Sequence, residues 1–169
     1  MELLVIRHAV AEDREDFAAT GKDDSLRPLT KDGRWKMERG VRALRHAIPS
    51  LSVIATSPFT RAAQTAKIVA AAYDDVDVEP LDALTPEGRP QAFLTWLRER
   101  ESDDRVAAVG HEPHLGSLVY WLLTGEPAEG RIAIKKGGAC LLELDGRPRA
   151  GKATLIWSLT PSILRRLDD

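Results

Sequence analysis

A single cysteine, Cys140, stands among 169 residues, so no internal disulfide can form and nothing calls for an oxidising compartment. Neither sign of charge predominates: 24 Lys and Arg face 26 Asp and Glu, a formal charge of −2. Polyanion binders carry a net basic excess, so nucleic acid is not an expected partner. Long apolar runs are missing too. Stretches such as Leu3-Leu4-Val5-Ile6 fall far short of the roughly 18 residues that span a bilayer, which excludes a membrane span. Met1-Glu2 lacks the basic start and apolar core of a secretory signal. There is no repeat, low-complexity tract or linker. The expectation is one cytoplasmic globular domain over residues 1–169, with 43% hydrophobic residues to build its core.

Chemical signatures are also absent. No Gly-x-Gly-x-x-Gly follows the first apolar run and no Gly-x-x-x-x-Gly-Lys-Ser/Thr occurs, so nucleotide-fold fingerprints are lacking. Of four histidines only His111 and His114 are closely spaced, which argues against a zinc site. Cys140 lies within a predicted strand and reads as a small core residue.

What is present is an alternation of strand and helix. Glu2–Ile6 is a continuous apolar run, expected as a strand buried on both faces. The acidic stretch from Ala11 to Ser25 has no period and reads as a loop. Thr30 is an N-cap, after which Met37, Val41, Leu44 and Ile48 fall at helical spacing up to Pro49. Ser52–Thr56 is a second strand, followed by a helix carrying Ala62, Ala66, Val69 and Tyr73 on one face. Val76–Glu79 is a short strand, and Phe93, Trp96 and Leu97 belong to a helix opening near Pro90. Arg105–Val109 is another buried strand, leading to a helix with Leu115, Leu118, Val119, Leu122 and Leu123 that Gly125 closes. Ala139–Leu144 and Ala153–Leu159 read as a hairpin, and Pro161–Leu167 as a terminal helical turn. The fold class expected is α/β: a three-layer α/β/α sandwich with a mostly parallel central sheet and an antiparallel hairpin near the C-terminus.

Ligands of open α/β sheets bind beyond the carboxyl ends of the parallel strands. Those ends here carry Arg7-His8, Ser57-Pro58-Phe59-Thr60-Arg61 and Gly110-His111. Two arginines supply planar N–H forks suited to phosphate oxygens, and histidine can serve as nucleophile, acid, base or donor. Helix starts nearby add free backbone N–H groups. The set describes an anion pocket for a phosphoryl group that requires no metal or other cofactor. Arg45-His46, inside a helix, reads as solvated; so do His114, Arg27, Lys135 and Lys136, taken as surface charge. Gly137-Gly138 suits a turn before a strand.

Four segments together resemble the histidine phosphatase superfamily, also called phosphoglycerate-mutase-like. They are Val5-Ile6-Arg7-His8-Ala9, Arg27-Pro28-Leu29-Thr30 with Gly33, Thr56-Ser57-Pro58-Phe59-Thr60-Arg61-Ala62 with Gln64-Thr65-Ala66, and Val109-Gly110-His111-Glu112-Pro113. Their order is the family's and they cover nearly the whole chain. The short length and Leu84-Thr85-Pro86 look most like the SixA-type phosphohistidine phosphatase branch. The resemblance implies a metal-independent phosphatase in which His8 attacks phosphorus and becomes a phosphohistidine. Arg7 and Arg61 would hold the phosphoryl oxygens, His111 would contact the same group, and water would release phosphate.

Two departures from the family stand out. Ala9 occupies a position that is commonly Gly, tolerable only where the backbone avoids Gly-only geometry. Ala83, in Leu81-Asp82-Ala83-Leu84, stands where many relatives place a general-acid Glu, leaving Asp82, Glu87 and Glu112 as candidate substitutes. An alcohol leaving group needs that proton, whereas imidazole protonates near neutrality. The expected substrate is therefore phosphohistidine on a protein such as a phosphorelay domain. The alternatives are a small-molecule phosphomonoesterase (for a sugar phosphate or nucleotide) and a catalytically weak phosphate-binding regulatory module. The acidic loop from Glu12 to Asp24 reads as a solvated variable segment, with substrate gating as the alternative.

Overall fold

The structure is a computed structural model describing residues 1–168. Asp169, the last residue of the expected domain, lies outside the described residues. Six strands form one sheet: β1 (Glu2–Arg7), β2 (Val53–Thr56), β3 (Val78–Pro80), β4 (Arg105–Gly110), β5 (Ala139–Leu144) and β6 (Ala153–Leu159). Their spatial order is β3-β2-β4-β1-β5-β6. The first four strands are mutually parallel, while β5 runs antiparallel to both β1 and β6. The fold is the α/β sandwich expected, with its hairpin after the parallel part.

Alternation along each strand divides the interior in two. Leu4 and Ile6 of β1, Ile54 of β2 and Val109 of β4 face one apolar cluster. Leu3 and Val5, Val53 and Ala55, and Val106 and Ala108 face the other. The first cluster is covered by α2 (Lys31–Ala47), α3 (Thr60–Ala72) and α6 (Pro161–Leu167), and the second by α4 (Pro90–Leu97) and α5 (His114–Thr124). A continuous apolar run thus makes a strand with no solvent face, each Leu or Ile contributing about 1.5–3 kcal/mol by burial. Cys140 is a core residue of β5, and burial pushes its thiol up to about 12. Among the described residues no helix is long and apolar enough to cross a membrane.

Thr30 caps α2, its hydroxyl accepting from Gly33 N at 2.9 Å. Gly33 is required there because a Cβ would lie 2.1 Å from the Val10 carbonyl oxygen, so the helix start can press against the chain just beyond His8. Gly125, at φ +81°, ends α5 in the left-handed conformation.

Several boundaries differ from expectation. β1 continues to Arg7, and the third strand is Val78–Pro80 rather than Val76–Glu79. Residues 11–25 are more than a loop: Ala11 bridges to Leu29, a short helix α1 spans Arg14–Ala18, and a 3-10 turn covers Asp24–Leu26. Asp13 caps α1 by accepting from Glu15 N and Asp16 N at 2.8 and 3.1 Å, and Phe17 anchors it. One buried aromatic in one helical turn leaves no periodicity to read.

Candidate active site

Sheet register sets three strand ends at one level. Arg7 lies opposite Gly110, and Thr56 opposite Val109. The pairing continues past the strands, with His8 N donating to Gly110 O at 3.0 Å and Ser57 N to Val109 O at 2.9 Å. Gly137, at φ +77°, donates its N–H to the carbonyls of both Arg7 and His8, and Arg7 N donates back to Gly138 O, each at 3.1 Å. This turn clamps the Arg7-His8 backbone from the hairpin side.

Arg7, His8, Arg61 and His111 consequently line one cavity of about 1100 Å³. That is the upper end of the usual small-ligand range and far more than a lone phosphate needs. The His8 and His111 rings lie 5.1 Å apart, and Phe59 sits 5.2 Å from His111 with the Arg61 guanidinium 5.1 Å over its ring.

The His8 ring state follows from its partner. Its Nδ1 is 2.7 Å from the Ala9 carbonyl oxygen, which can only accept, so Nδ1 carries the proton and Nε2 keeps the lone pair. Burial foremost, then the charges of Arg61, Arg7 and Lys136, lowers the His8 pKa to about 3, against the opposing Ala9 bond. Burial, with His8 and Arg61 adding to it, also lowers His111 to about 3. Both rings are neutral near pH 7. His111 Nε2 pairs with Ser57 Oγ at 2.8 Å, while its Nδ1 is buried without a partner. Buried Nε–H groups of Arg7 and Arg61 are likewise unpartnered. Burial lowers both arginine pKa values, Glu112 opposing this at Arg7 and Asp24 at Arg61.

Ala9 is accommodated without strain, since it is not among the residues with positive φ. Its N–H donates to Thr65 Oγ1 at 3.0 Å, and that hydroxyl donates to Arg61 O at 2.7 Å, which ties the His8 segment to α3.

Of the residues read as surface charge, Arg27 and His114 are buried instead, while Lys136 is exposed as expected but on the cavity wall. Arg27 is 5% exposed and lines the cavity, its Nε on Asp24 Oδ1 and its Nη1 on the Glu12 carbonyl, both at 2.8 Å. The cause is the ordered return of residues 11–29, which folds this arginine inward. His114 is buried at the start of α5, where burial lowers its pKa. Lys136 is exposed yet lines the cavity; burial and then Arg7 lower its pKa. Lys135 is exposed, as expected.

The candidate acids separate clearly. Asp82 is exposed and is not part of the cavity wall, whereas Glu87 is exposed on it. Glu112 also lines the cavity, but its oxygens accept from Ile134 N at 2.6 Å and Gly116 N at 3.1 Å. Both of its oxygens are thus engaged as acceptors of backbone N–H groups. Ala83 is buried in the second core cluster.

Asp24 was missed as a site residue. Its carboxylate lies 3.1 Å from Arg61 Nη2 and 2.8 Å from Arg27 Nε, and its carbonyl accepts from Arg61 Nη1 at 2.9 Å. Burial opposes the shift, yet the Arg27 hydrogen bond and the charges of Arg61 and Arg27 hold its carboxyl below the ordinary value. The Asp24–Arg27 spacing was the only sequence signal available. Among the described residues no cluster of three or more His, Cys, Asp or Glu is arranged to hold a metal ion.

Residues 3–85 match the family described as the histidine phosphatase superfamily (branch 1). An uncharacterized protein of a Picosynechococcus species is 36% identical over 140 residues, covering 82% of each chain. The chain belongs to the histidine phosphatase superfamily. Phosphohistidine phosphatase SixA of Escherichia coli (strain K12) is 28% identical over 170 residues, covering 98% of this chain and 97% of that one. The solved structure of the protein histidine phosphatase SixA complexed with tungstate superposes with a TM-score of 0.81 at 27% identity, covering 97% and 99% of the two chains. This histidine phosphatase is therefore a phosphatase of the SixA-type branch, a hydrolase working through phosphohistidine.

Proposed function

We propose that the protein removes the phosphoryl group from phosphohistidine on another protein, with His8 as nucleophile. The neutral Nε2 of His8 attacks phosphorus as the P–N bond to the substrate imidazole breaks; that ring, protonated from solvent at its other nitrogen, leaves as neutral imidazole and the phosphoryl group passes to His8. Arg7 and Arg61 hold its non-bridging oxygens with permanently charged guanidinium groups. Ser57 Oγ, which accepts from Phe59 N at 3.3 Å, is assigned here as the donor to His111 Nε2 at 2.8 Å, because the unpartnered Nδ1 is then the protonated nitrogen. The buried His111 Nδ1 then carries the ring proton and donates to the phosphoryl oxygens. The Ala9 carbonyl stabilises the Nδ1–H tautomer of His8 throughout. Water next attacks the phosphorus of phospho-His8, the P–N bond breaks, and inorganic phosphate leaves with His8 restored.

The observation that carries the choice of substrate is the state of the acids. Glu112 is engaged by two backbone N–H groups, Asp82 lies off the cavity and the family's acid position is Ala83, which leaves exposed Glu87 as the one of the three candidate acids free on the cavity wall. A phosphorylated imidazole takes up its proton from solvent near neutrality, so its departure depends far less on an acid in the site than that of an alcohol. The E. coli relative that covers nearly the whole chain carries the name phosphohistidine phosphatase, which supports the same substrate class.

The test is a panel of phosphohistidine protein, sugar phosphates and an aryl phosphate, run on wild type and His8→Ala. The expected result is turnover of phosphohistidine protein, little on alkyl phosphates, and neither turnover nor acid-labile phosphate labelling in the variant. Equal rates on sugar phosphates would instead favour a small-molecule phosphomonoesterase. Phosphate binding without turnover of any substrate would leave a regulatory module.

A further inference from the structure

We propose that Glu112 is a positioning residue that acts on Arg7 through the backbone of Ile134. The inference rests on Arg7 holding the phosphoryl group, as above. Glu112 Oε1 accepts the Ile134 N–H at 2.6 Å, and the Ile134 carbonyl accepts from Arg7 Nη1 at 3.0 Å. One residue thus carries the carboxylate's hold on one side and the guanidinium's on the other. Glu112 Oε2 is fixed by Gly116 N at 3.1 Å.

The chain around this relay is built for it. Ile134 lies in the irregular segment between α5 and β5, where no ladder bond sets its carbonyl direction. Gly116 lets that segment approach α5, since a Cβ there would stand 2.1 Å from Ile132 O and 2.9 Å from Glu112 Oε2. A few residues on, Gly137 of the same connection clamps Arg7 and His8. Glu112 follows His111, so the relay links the loop bearing one phosphate contact to the side chain of another. Its carboxylate also counters the burial that disfavours charge on Arg7. A leucine or alanine at 112 would leave the Ile134 N–H unpartnered and its carbonyl free to turn.

The experiment compares Arg7→Ala, Glu112→Ala and Glu112→Gln with wild type, reading kcat, KM and pH profile on an aryl phosphate and inhibition by inorganic phosphate. Arg7→Ala must lose activity or phosphate affinity. If it matches wild type, the reading of Arg7 fails, whatever Glu112 does. Given that loss, Glu112→Ala is expected to fall about 10- to 100-fold in kcat/KM, the scale of a small misplacement of a binding group. The loss should appear in the same parameter as that of Arg7→Ala. Glu112→Gln, which keeps one acceptor for Ile134 N, should recover part of it with an unaltered pH profile. Activity of Glu112→Ala within twofold of wild type overturns the proposal. So does a Gln variant as poor as the Ala variant that has lost a limb of the pH profile, the signature of a proton donor. If Glu112→Ala does not fold, Glu112→Asp, which keeps the charge on a side chain one carbon too short to hold Ile134 N, takes its place, and activity of that variant within twofold of wild type overturns the proposal equally.

Discussion

Two buried neutral imidazoles make the folded state sensitive to mild acid. His8 and His111 each have a pKa near 3 in the fold, and burial is the main cause of both shifts. An unfolded histidine titrates near 6.5, so between those values the unfolded chain binds more protons and stability rises with pH. The contribution is complete above about pH 6.5 and is lost progressively below it. At pH 5 each ring costs about 2 kcal/mol relative to pH 7.5, or about 4 kcal/mol together, a large part of the 5–15 kcal/mol typical of a domain. The loss in buried His114 has the same sign, while Asp24, with its depressed pKa, responds only at lower pH. Urea unfolding at pH 7.5, 6.5, 5.5 and 5.0, in buffers free of phosphate, measures this as a falling midpoint at constant slope. His8→Asn and His111→Asn should each remove about half of the pH dependence. A wild-type midpoint that does not move between pH 7.5 and 5, or a double variant with the wild-type dependence, would refute the assignment of both rings as buried and neutral. The kinetic counterpart is an acid limb of kcat/KM below pH 5 rather than at 6.5.

Asp24→Asn removes the negative charge that Arg61 and Arg27 share. Inorganic phosphate should then inhibit about tenfold more tightly at low ionic strength, equivalent to about 1.4 kcal/mol, with the gain shrinking as salt is added. Unchanged or weaker inhibition would count against Asp24 as a competitor for the arginines. Thr65→Val strips the acceptor from the buried Ala9 N–H and breaks the tie between the His8 segment and α3. A loss of about 1–3 kcal/mol in urea, together with slower aryl phosphate turnover, is expected; wild-type values for both would mean that the backbone finds another partner.

The parts of this architecture that could be read in the sequence are those that the backbone itself imposes. Leu3-Leu4-Val5-Ile6 alternates between two apolar clusters, so its run declares a doubly covered strand, and the residues after it must emerge at the sheet's edge. The same reasoning reaches Arg7, His8, Arg61 and His111, all on or just past strand ends whose register aligns them. Arg27 and Asp24 belong to another class. Their positions depend on a single bridge between Ala11 and Leu29, on the Asp13 cap and on one anchored Phe17, none of which produces a repeating pattern. The segment's many charges suggested solvation, yet several of its acids cap backbone N–H groups or pair with buried guanidinium groups.

Glu112 marks the same boundary more sharply. Adjacent to His111, it was a natural candidate for the absent acid, and sequence position alone assigns it to chemistry. What decides otherwise is a contact with Ile134, 22 positions away in an irregular connection. Two backbone N–H groups converge on the carboxylate, and Ile134, the residue that supplies one of them, holds Arg7 through its carbonyl. In the positioning role proposed above, the acidic side chain next to His111 in the chain serves geometry rather than proton transfer. Of the three candidate acids only Glu87 is then left exposed on the cavity wall, and the proposed phosphohistidine substrate is the one that depends on it least. A phosphorylated imidazole takes its proton from solvent near neutrality and leaves as a neutral ring, whereas the oxygen of an alkyl phosphate needs a donor in the site.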